Sequence, residues 1–180
     1  MILAKVLVME RINKITLVNL AQFTALLAVA VFAPLSHNQI ITGSLVNATL
    51  FIAAATIGLE GAILIGILPS TFALLFGTLP IALAPLIPFI ILSNILLILV
   101  VSSFKKYNSS LVFFSAAVLK FLFLFAVSSW AINLLFHGNL VKTASIMLSW
   151  PQLITALIGG LIALVIIKKS VNMSLYANRK

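Results

Sequence analysis

Long apolar runs follow one another along the chain, and polar residues are concentrated in the short segments between them. An apolar helix of roughly 20 residues is long enough to cross the ~30 Å hydrocarbon core of a bilayer. The pattern therefore predicts an all-α, polytopic membrane protein, with six transmembrane helices bundled in a single domain over residues 1–180. The predicted spans are about 15–35, 44–58, 62–79, 86–103, 111–135 and 147–167.

The segment ahead of the first span and the basic residues predict how the bundle sits in the membrane. Residues 1–14 place apolar side chains at roughly helical spacing among charged ones, which is typical of a short interfacial helix. Lys and Arg are retained on the cytoplasmic side during insertion. With six spans, both termini and nine of the eleven basic residues share one side. We therefore expect both termini to be cytoplasmic and the loop after the first span to be on the outer face.

Composition supports a membrane protein and limits the kinds of catalytic or metal site that the chain can form. The chain is 63% hydrophobic and 7% charged, too apolar for a water-soluble globule. Its net charge of +9 comes from short clusters between apolar runs, so we interpret these as topology signals and expect no nucleic-acid partner. The chain has no cysteine, no aspartate and only Glu10 and Glu60 as acids, while His37 and His137 are far apart. We therefore expect no enzyme activity, no metal site and no cofactor.

Hydrogen-bonding side chains are unusually dense in "SHNQIITGSLVNA", residues 36–48, which we call the first loop. Further amides and two indoles lie near the ends of spans five and six, and one amide lies within span four. Such groups suit a small, partly planar ligand held by stacking and neutral hydrogen bonds. The predicted substrate-binding residues are His37, Asn38, Gln39, Thr42, Asn47, Asn94, Trp130, Asn133, Trp150 and Gln152.

Alternative roles remain open for several of these positions. Tryptophans near helix ends also serve as interfacial anchors, which applies to Trp130 and Trp150. His137, at a helix end, is more typical of a solvated or capping group and is left out of the site. Gly43 is expected to allow the turn into span two.

The charged residues near the spans have less obvious roles. Lys120 lies about ten residues into span five, and an intramembrane ionisable group is by default a functional candidate. Its long stem could instead snorkel towards the cytoplasm, and we expect such a snorkelling or packing role. Glu60 is expected to be solvated or to face a partner. The scarcity of acids favours a neutral or anionic ligand, with Lys120 or Lys142 available as a counter-charge.

Small residues form stripes on two of the predicted spans, and prolines interrupt the middle of the chain. Ala156, Gly160 and Ala163 on span six are expected to pack internally. Span one carries a second stripe of small residues: Ala21, Ala25 and Ala28. The apolar "PIALAPLIP", residues 80–88, is more typical of a re-entrant plug than of a hydrated loop.

These features together resemble a known family. Six short spans, a polar first outer loop, an Ala-x-x-x-Ala stripe at Ala21 and Ala25 and a Gly/Pro-rich third span resemble the S components of energy-coupling factor (ECF) transporters. Three segments are similar in sequence to a branch of that family without an assigned substrate: "HNQIITGSLVNA", "IGILPSTFALLFGTLPIALAPLIPFI" and "LSWPQLITALIGGLIA". The resemblance covers roughly residues 15–167.

The resemblance implies a function, a location and partners. S components lie in the plasma membrane of prokaryotes and bind a vitamin or other small nutrient in an outer pocket covered by the first loop. They deliver it by docking on a membrane T component that is coupled to two cytoplasmic ATPases, and the small-residue stripe of the first helix makes that contact. This chain has no Walker-type glycine loop of its own, which fits such a division of labour.

Two other classes of protein share some of these features. A six-helix scaffold of the kind that organises cell-wall synthesis would use the small-residue stripes for partner helices and would need no ligand. A self-sufficient carrier or channel would be expected to carry an inverted repeat or a polar stripe through the full membrane depth. Neither is evident in the sequence, where polarity is concentrated in the outer half.

Overall fold

The computed structural model describes residues 2–130, 132–135 and 139–177, with side chains described within 17–170. Every regular element in these described ranges is helical, which confirms the all-α prediction. The α-helices, in chain order, are α1 (Ile2–Phe32), α2 (Gln39–Thr56), α3 (Leu59–Leu75), α4 (Ile87–Ser103), α5 (Ser109–Trp130), α6 (Ile132–Leu135), α7 (Asn139–Met147) and α8 (Trp150–Ala177).

Several of these helices are long and apolar enough to cross a membrane, so the chain is compatible with a membrane protein. Five segments of the described chain meet this criterion by length and composition: Leu17–Ser36, Gln39–Thr56, Ile81–Ser103, Ser109–Trp130 and Asn139–Ser170. A sixth apolar helix, α3, is shorter, at 17 residues. At the N-terminal end, residues 2–14 continue into the first span as one helix, without a break between them.

The first loop is shorter than the sequence suggested, because α2 begins at Gln39. A short 3-10 helix, Ala33–Ser36, follows α1, and His37 adopts a left-handed conformation with φ of 51°. The side chain of Asn38 then accepts hydrogen bonds from the backbone N–H groups of Ile40 and Ile41, which caps the new helix. The prediction that Gly43 allows this turn is therefore wrong, since Gly43 lies within the first turns of α2.

Helix α2 is the centre of the bundle. It packs against α1, α3, α4 and α8, most extensively against α8, and its residues 46–54 are all buried. The helix axes approach closely because small residues lie at the contact. A Cβ atom added at Gly159 would lie 2.7 Å from the backbone nitrogen of Ala48, so only glycine fits there. Around this contact α1, α3, α4, α5 and α8 contribute apolar side chains to one large core.

Two predictions about small residues and prolines can be compared with this packing. Ala156, Gly160 and Ala163 are buried inside the bundle, which confirms internal packing for the stripe on α8. The proline-rich segment forms a 3-10 helix, Ile81–Leu86, that leads directly into α4, with Leu83 and Leu86 buried. The segment therefore closes one end of the bundle with apolar side chains.

The connection between α5 and α8 contains structure that the apolar pattern did not predict. Helix α7 lies between the fifth and sixth apolar runs and buries Ala144. A second, smaller apolar core forms where α7, the end of α5 and the 3-10 segment meet, which we call the cap cluster. Its buried members are Leu79, Leu83, Leu86, Leu124, Val127, Ile132, Ala144 and Leu148.

Candidate functional site

A cavity of about 340 Å³ lies between the α2-centred core and the cap cluster. Its wall is formed by residues of the first loop, of α2 to α5, of the proline-rich segment, and of α7 and α8. The first loop lies at one end of the cavity, and the opposite end reaches residues at the middle of α2, α4 and α5. This volume is at the lower end of the ~300–1,000 Å³ range of small-molecule sites.

The floor of the cavity is built around a buried lysine. Lys120, at the midpoint of α5, is only 2% exposed, and it lines the cavity. Its Nζ atom donates to Asn47 Oδ1 at 2.6 Å and to Asn94 Oδ1 at 2.7 Å. Asn47 is at the midpoint of α2 and Asn94 at the midpoint of α4, so three helices meet through these bonds. Of the snorkelling or packing role expected for Lys120, snorkelling is therefore wrong, since the side chain lies inside the bundle.

Both asparagines are held in place by a second hydrogen bond. Asn94 Nδ2 donates to the carbonyl oxygen of Gly66 on α3 at 2.9 Å. Asn47 Nδ2 donates to Thr155 Oγ1 on α8 at 3.4 Å. Because each amide nitrogen is engaged elsewhere, each amide oxygen is left facing the lysine. The floor is thus an oriented network, with side chains or backbone from five helices.

At the other end of the cavity, the first loop and α8 are both hydrogen-bonded to the last residue of α7. Gln39 Nε2 donates to the carbonyl oxygen of Met147 at 3.1 Å, and Gln152 Nε2 donates to the same oxygen at 2.9 Å. Thr42 Oγ1 lies 3.0 Å from Ser36 Oγ and donates to the carbonyl oxygen of Ala33. This end of the cavity is therefore held by a few side-chain hydrogen bonds, none of which is fully buried.

The wall between floor and loop is mainly apolar, with hydroxyl groups at intervals. The apolar part includes Val46, Leu79, Leu83 and Ile90, and the hydroxyl groups come from Ser70, Thr78, Thr143 and Thr155. No carboxylate belongs to the lining, and no group of three or more His, Cys, Asp or Glu occurs within the described residues. The lining thus offers neutral hydrogen bonding, apolar contact and one amine.

The structure brings together seven of the ten sequence-predicted site residues. The residues that line the cavity are His37, Asn38, Gln39, Thr42, Asn47, Asn94 and Gln152. Trp130 and Trp150 are 67% and 64% exposed and lie outside the lining, where Trp150 stacks on Phe121. The side chain of Asn133 and all of His137 lie outside the described residues. A contribution of tryptophan stacking to the cavity is therefore not supported by this geometry.

Sequence reasoning missed several members of the lining. Lys120 could have been predicted as a site residue, because an ionisable residue inside an apolar span is a functional candidate even when the sequence shows no partner for it. Thr143 and Met147 are on α7, which no apolar run predicted. Ser70 and Thr155 are single hydroxyl residues inside apolar spans, and no local pattern distinguishes them from hydroxyls that bond their own helix.

No protein-family model, curated protein or solved structure matches the chain. The chemistry of the site is therefore interpreted from its own residues.

Proposed function

We propose that the chain is the substrate-binding S component of an ECF-type importer, which captures a vitamin or other small nutrient. The observation that carries this proposal is the cavity, which has an oriented polar floor, an apolar wall and residues of the first loop in its lining. A scaffold protein needs no such cavity. A polar network that joins five helices and lines a cavity is suited to binding a ligand.

The proposal includes a topology. Helix α3 is taken as a sixth span in addition to the five longer ones, and the bundle then has both termini on the cytoplasmic side of a prokaryotic plasma membrane. In that orientation the first loop and the cavity face outward, where a nutrient would arrive. The basic residues at positions 105, 106, 168 and 169 then lie on the cytoplasmic side, as the charge rule requires.

The exposed stripe of small residues on α1 supports a helical membrane partner. Ala21, Ala25 and Ala28 are all exposed on the outside of the bundle, unlike the equivalent stripe of α8. Small residues on an exposed face let a second helix approach closely within the bilayer. We propose that this face contacts the T component, whose two associated ATPases would supply the energy for release of the substrate.

The test is a mild-detergent purification of the tagged chain from its native host, followed by mass spectrometry of the proteins that accompany it. We expect two ATPases and a second polytopic protein with the wild type. A variant with both Ala21→Leu and Ala25→Leu should lose these partners, because the larger side chains separate the two helices.

The matched control is Ala126→Leu, which makes the same change at an exposed alanine on α5. This variant should keep the partners. Recovery of cell-envelope enzymes without any ATPase would contradict the transporter proposal and support the scaffold. Equal loss of partners from Ala126→Leu would remove the special role of the α1 stripe.

A further inference from the structure

The floor of the cavity has an unused hydrogen-bond donor. A lysine ammonium group carries three N–H donors. Two of those of Lys120 are directed to Asn47 and Asn94, and the described residues offer no third acceptor. Because the side chain belongs to the cavity wall and is nearly fully buried, a molecule in the cavity is the natural acceptor for the third donor.

The floor also lacks a compensating negative charge. A buried charge is normally paired, since removing it from water costs several kcal/mol. The amide oxygens of Asn47 and Asn94 solvate the amine but carry no net charge. The cavity lining contains no Asp or Glu, and Glu60, the acidic residue whose side chain is described, is exposed in the first turn of α3. Within the described side chains, the floor therefore has no counter-ion.

The hydrogen bonds around Lys120 argue against a purely structural role, in which the lysine would only hold helices together. A neutral hydrogen-bonding side chain in place of Lys120 would join α2 to α4 without the cost of burying an amine. Instead, both amides present oxygen to the amine and use their nitrogens on Gly66 and Thr155. Such an arrangement is suited to holding a positive group in position for a ligand.

We propose that the cavity binds a small molecule with a compact acidic group, a carboxylate or a phosphate, and that Lys120 contacts that group at the floor. The rest of the molecule would contact the apolar wall formed by Val46, Leu79 and Ile90. Its hydroxyl or amide groups would face Thr78 and Thr143. This inference rests on the proposed function of the cavity as a substrate site. It extends that proposal by naming the chemical class of the substrate.

The test uses equilibrium dialysis of the purified protein against the small-molecule fraction of a host-cell extract, with mass spectrometry of the solutes retained. The variants are Lys120→Gln, which keeps an N–H donor and removes the charge, and Lys142→Gln. Lys142 is exposed on α7 and does not line the cavity, so its variant makes the same change in net charge away from the floor.

We expect the wild type and Lys142→Gln to retain a solute that carries a carboxylate or phosphate group. Lys120→Gln should retain it at least about tenfold less, because a charge-assisted hydrogen bond to a buried acceptor is lost. The amount is expressed per monodisperse protein recovered from size-exclusion chromatography, so a folding defect does not imitate the loss. The neutral amide or dephosphorylated analogue of the captured solute should bind the wild type more weakly by a similar factor.

Three outcomes would overturn this inference alone. A retained solute without an acidic group would do so, as would equal retention by Lys120→Gln or equal loss from Lys142→Gln. These outcomes leave the proposed function intact, since it is judged separately by recovery of the ATPases and the T component. Retention of no solute by the wild type would contradict both the inference and the use of this cavity as a substrate site.

Discussion

The two apolar clusters on either side of the cavity are built in different ways. The core around α2 consists of side chains from long helices, such as Leu50, Phe51 and Leu97, which are fully buried. The cap cluster consists largely of residues from connections, such as Leu79, Leu83 and Leu148, together with the end of α5. The cavity separates the two clusters and takes residues from both.

This difference divides the site into a fixed part and a covering part. The floor residues Asn47, Asn94 and Lys120 project from the midpoints of three long helices, each of which packs against several other helices. The cover depends on hydrogen bonds from Gln39 and Gln152 to a single backbone carbonyl. We therefore expect substitutions in the floor to affect both stability and binding, and substitutions in the cover to affect mainly the entry and release of a ligand.

The largest effect on stability is expected from Asn94→Ala, which removes part of the hydrogen-bond network in the floor. The substitution removes one of two acceptors of Lys120 and also the side-chain hydrogen bond to the carbonyl oxygen of Gly66. An unsatisfied buried group costs about 1–3 kcal/mol, and more when a charged group is involved. We expect the free energy of unfolding to fall by roughly 3 kcal/mol, measured by thermal or denaturant unfolding in detergent, together with loss of the captured solute.

The control for this variant is Asn19→Ala on the exposed face of α1. It should change the free energy of unfolding by less than about 0.5 kcal/mol, as surface substitutions usually do. If Asn94→Ala were as stable as Asn19→Ala, the floor network would not hold the helices together, and the comparison between a fixed floor and a loosely held cover would fail.

A smaller but well-defined loss is expected from Gly159→Ala, which tests the core side of the comparison. The added methyl group meets the backbone nitrogen of Ala48 at 2.7 Å, and a backbone atom cannot move aside alone. Overpacking of this kind costs about 1–3 kcal/mol, partly offset by the better helix propensity of alanine. Gly160→Ala is the neighbouring control, since its nearest contact is Phe51 at 3.4 Å, and it should be neutral or stabilising. Equal stabilities would show that α2 and α8 can separate without penalty.

The sequence predicted the long helices and the polar loop better than the contacts between them. Apolar runs of membrane-spanning length indicated the helices of the α2-centred core, and the polar first loop indicated the cavity residues His37, Asn38, Gln39 and Thr42. The stripe of Ala156, Gly160 and Ala163 indicated internal packing because small residues at helical spacing are typical of close helix contacts. These signals are local, since each is contained within one helix or one loop.

The parts that were missed depend on contacts between distant segments. The beginning of α2 was placed too late because the polarity of the first loop obscured a helix that is capped by Asn38. Helix α7 is not an apolar run, and its amphipathic pattern is stabilised by burial of Ala144 in the cap cluster. The environment of Lys120 depends on asparagines in two other helices, 73 and 26 residues away in the chain. No single segment of sequence carries that information.

The smallest effect on stability is expected from Gln39→Ala, which tests the cover. The variant removes one exposed hydrogen bond, and the carbonyl oxygen of Met147 keeps its bond from Gln152, so the loss should not exceed about 1 kcal/mol. Gln22→Ala is the matched control, because Gln22 donates one exposed hydrogen bond to Thr56 at the opposite end of α2. Both variants should unfold at nearly the same temperature.

The two glutamine variants should differ in how fast they release a bound solute. With the loop less firmly attached to α7, Gln39→Ala should lose the captured solute several-fold faster than the wild type during washing, whereas Gln22→Ala should not. The double variant with Gln152→Ala should release it faster still, because both bonds to Met147 are then absent. Equal release rates from Gln39→Ala and Gln22→Ala would mean that the first loop does not control access, and that the solute enters the cavity by another path.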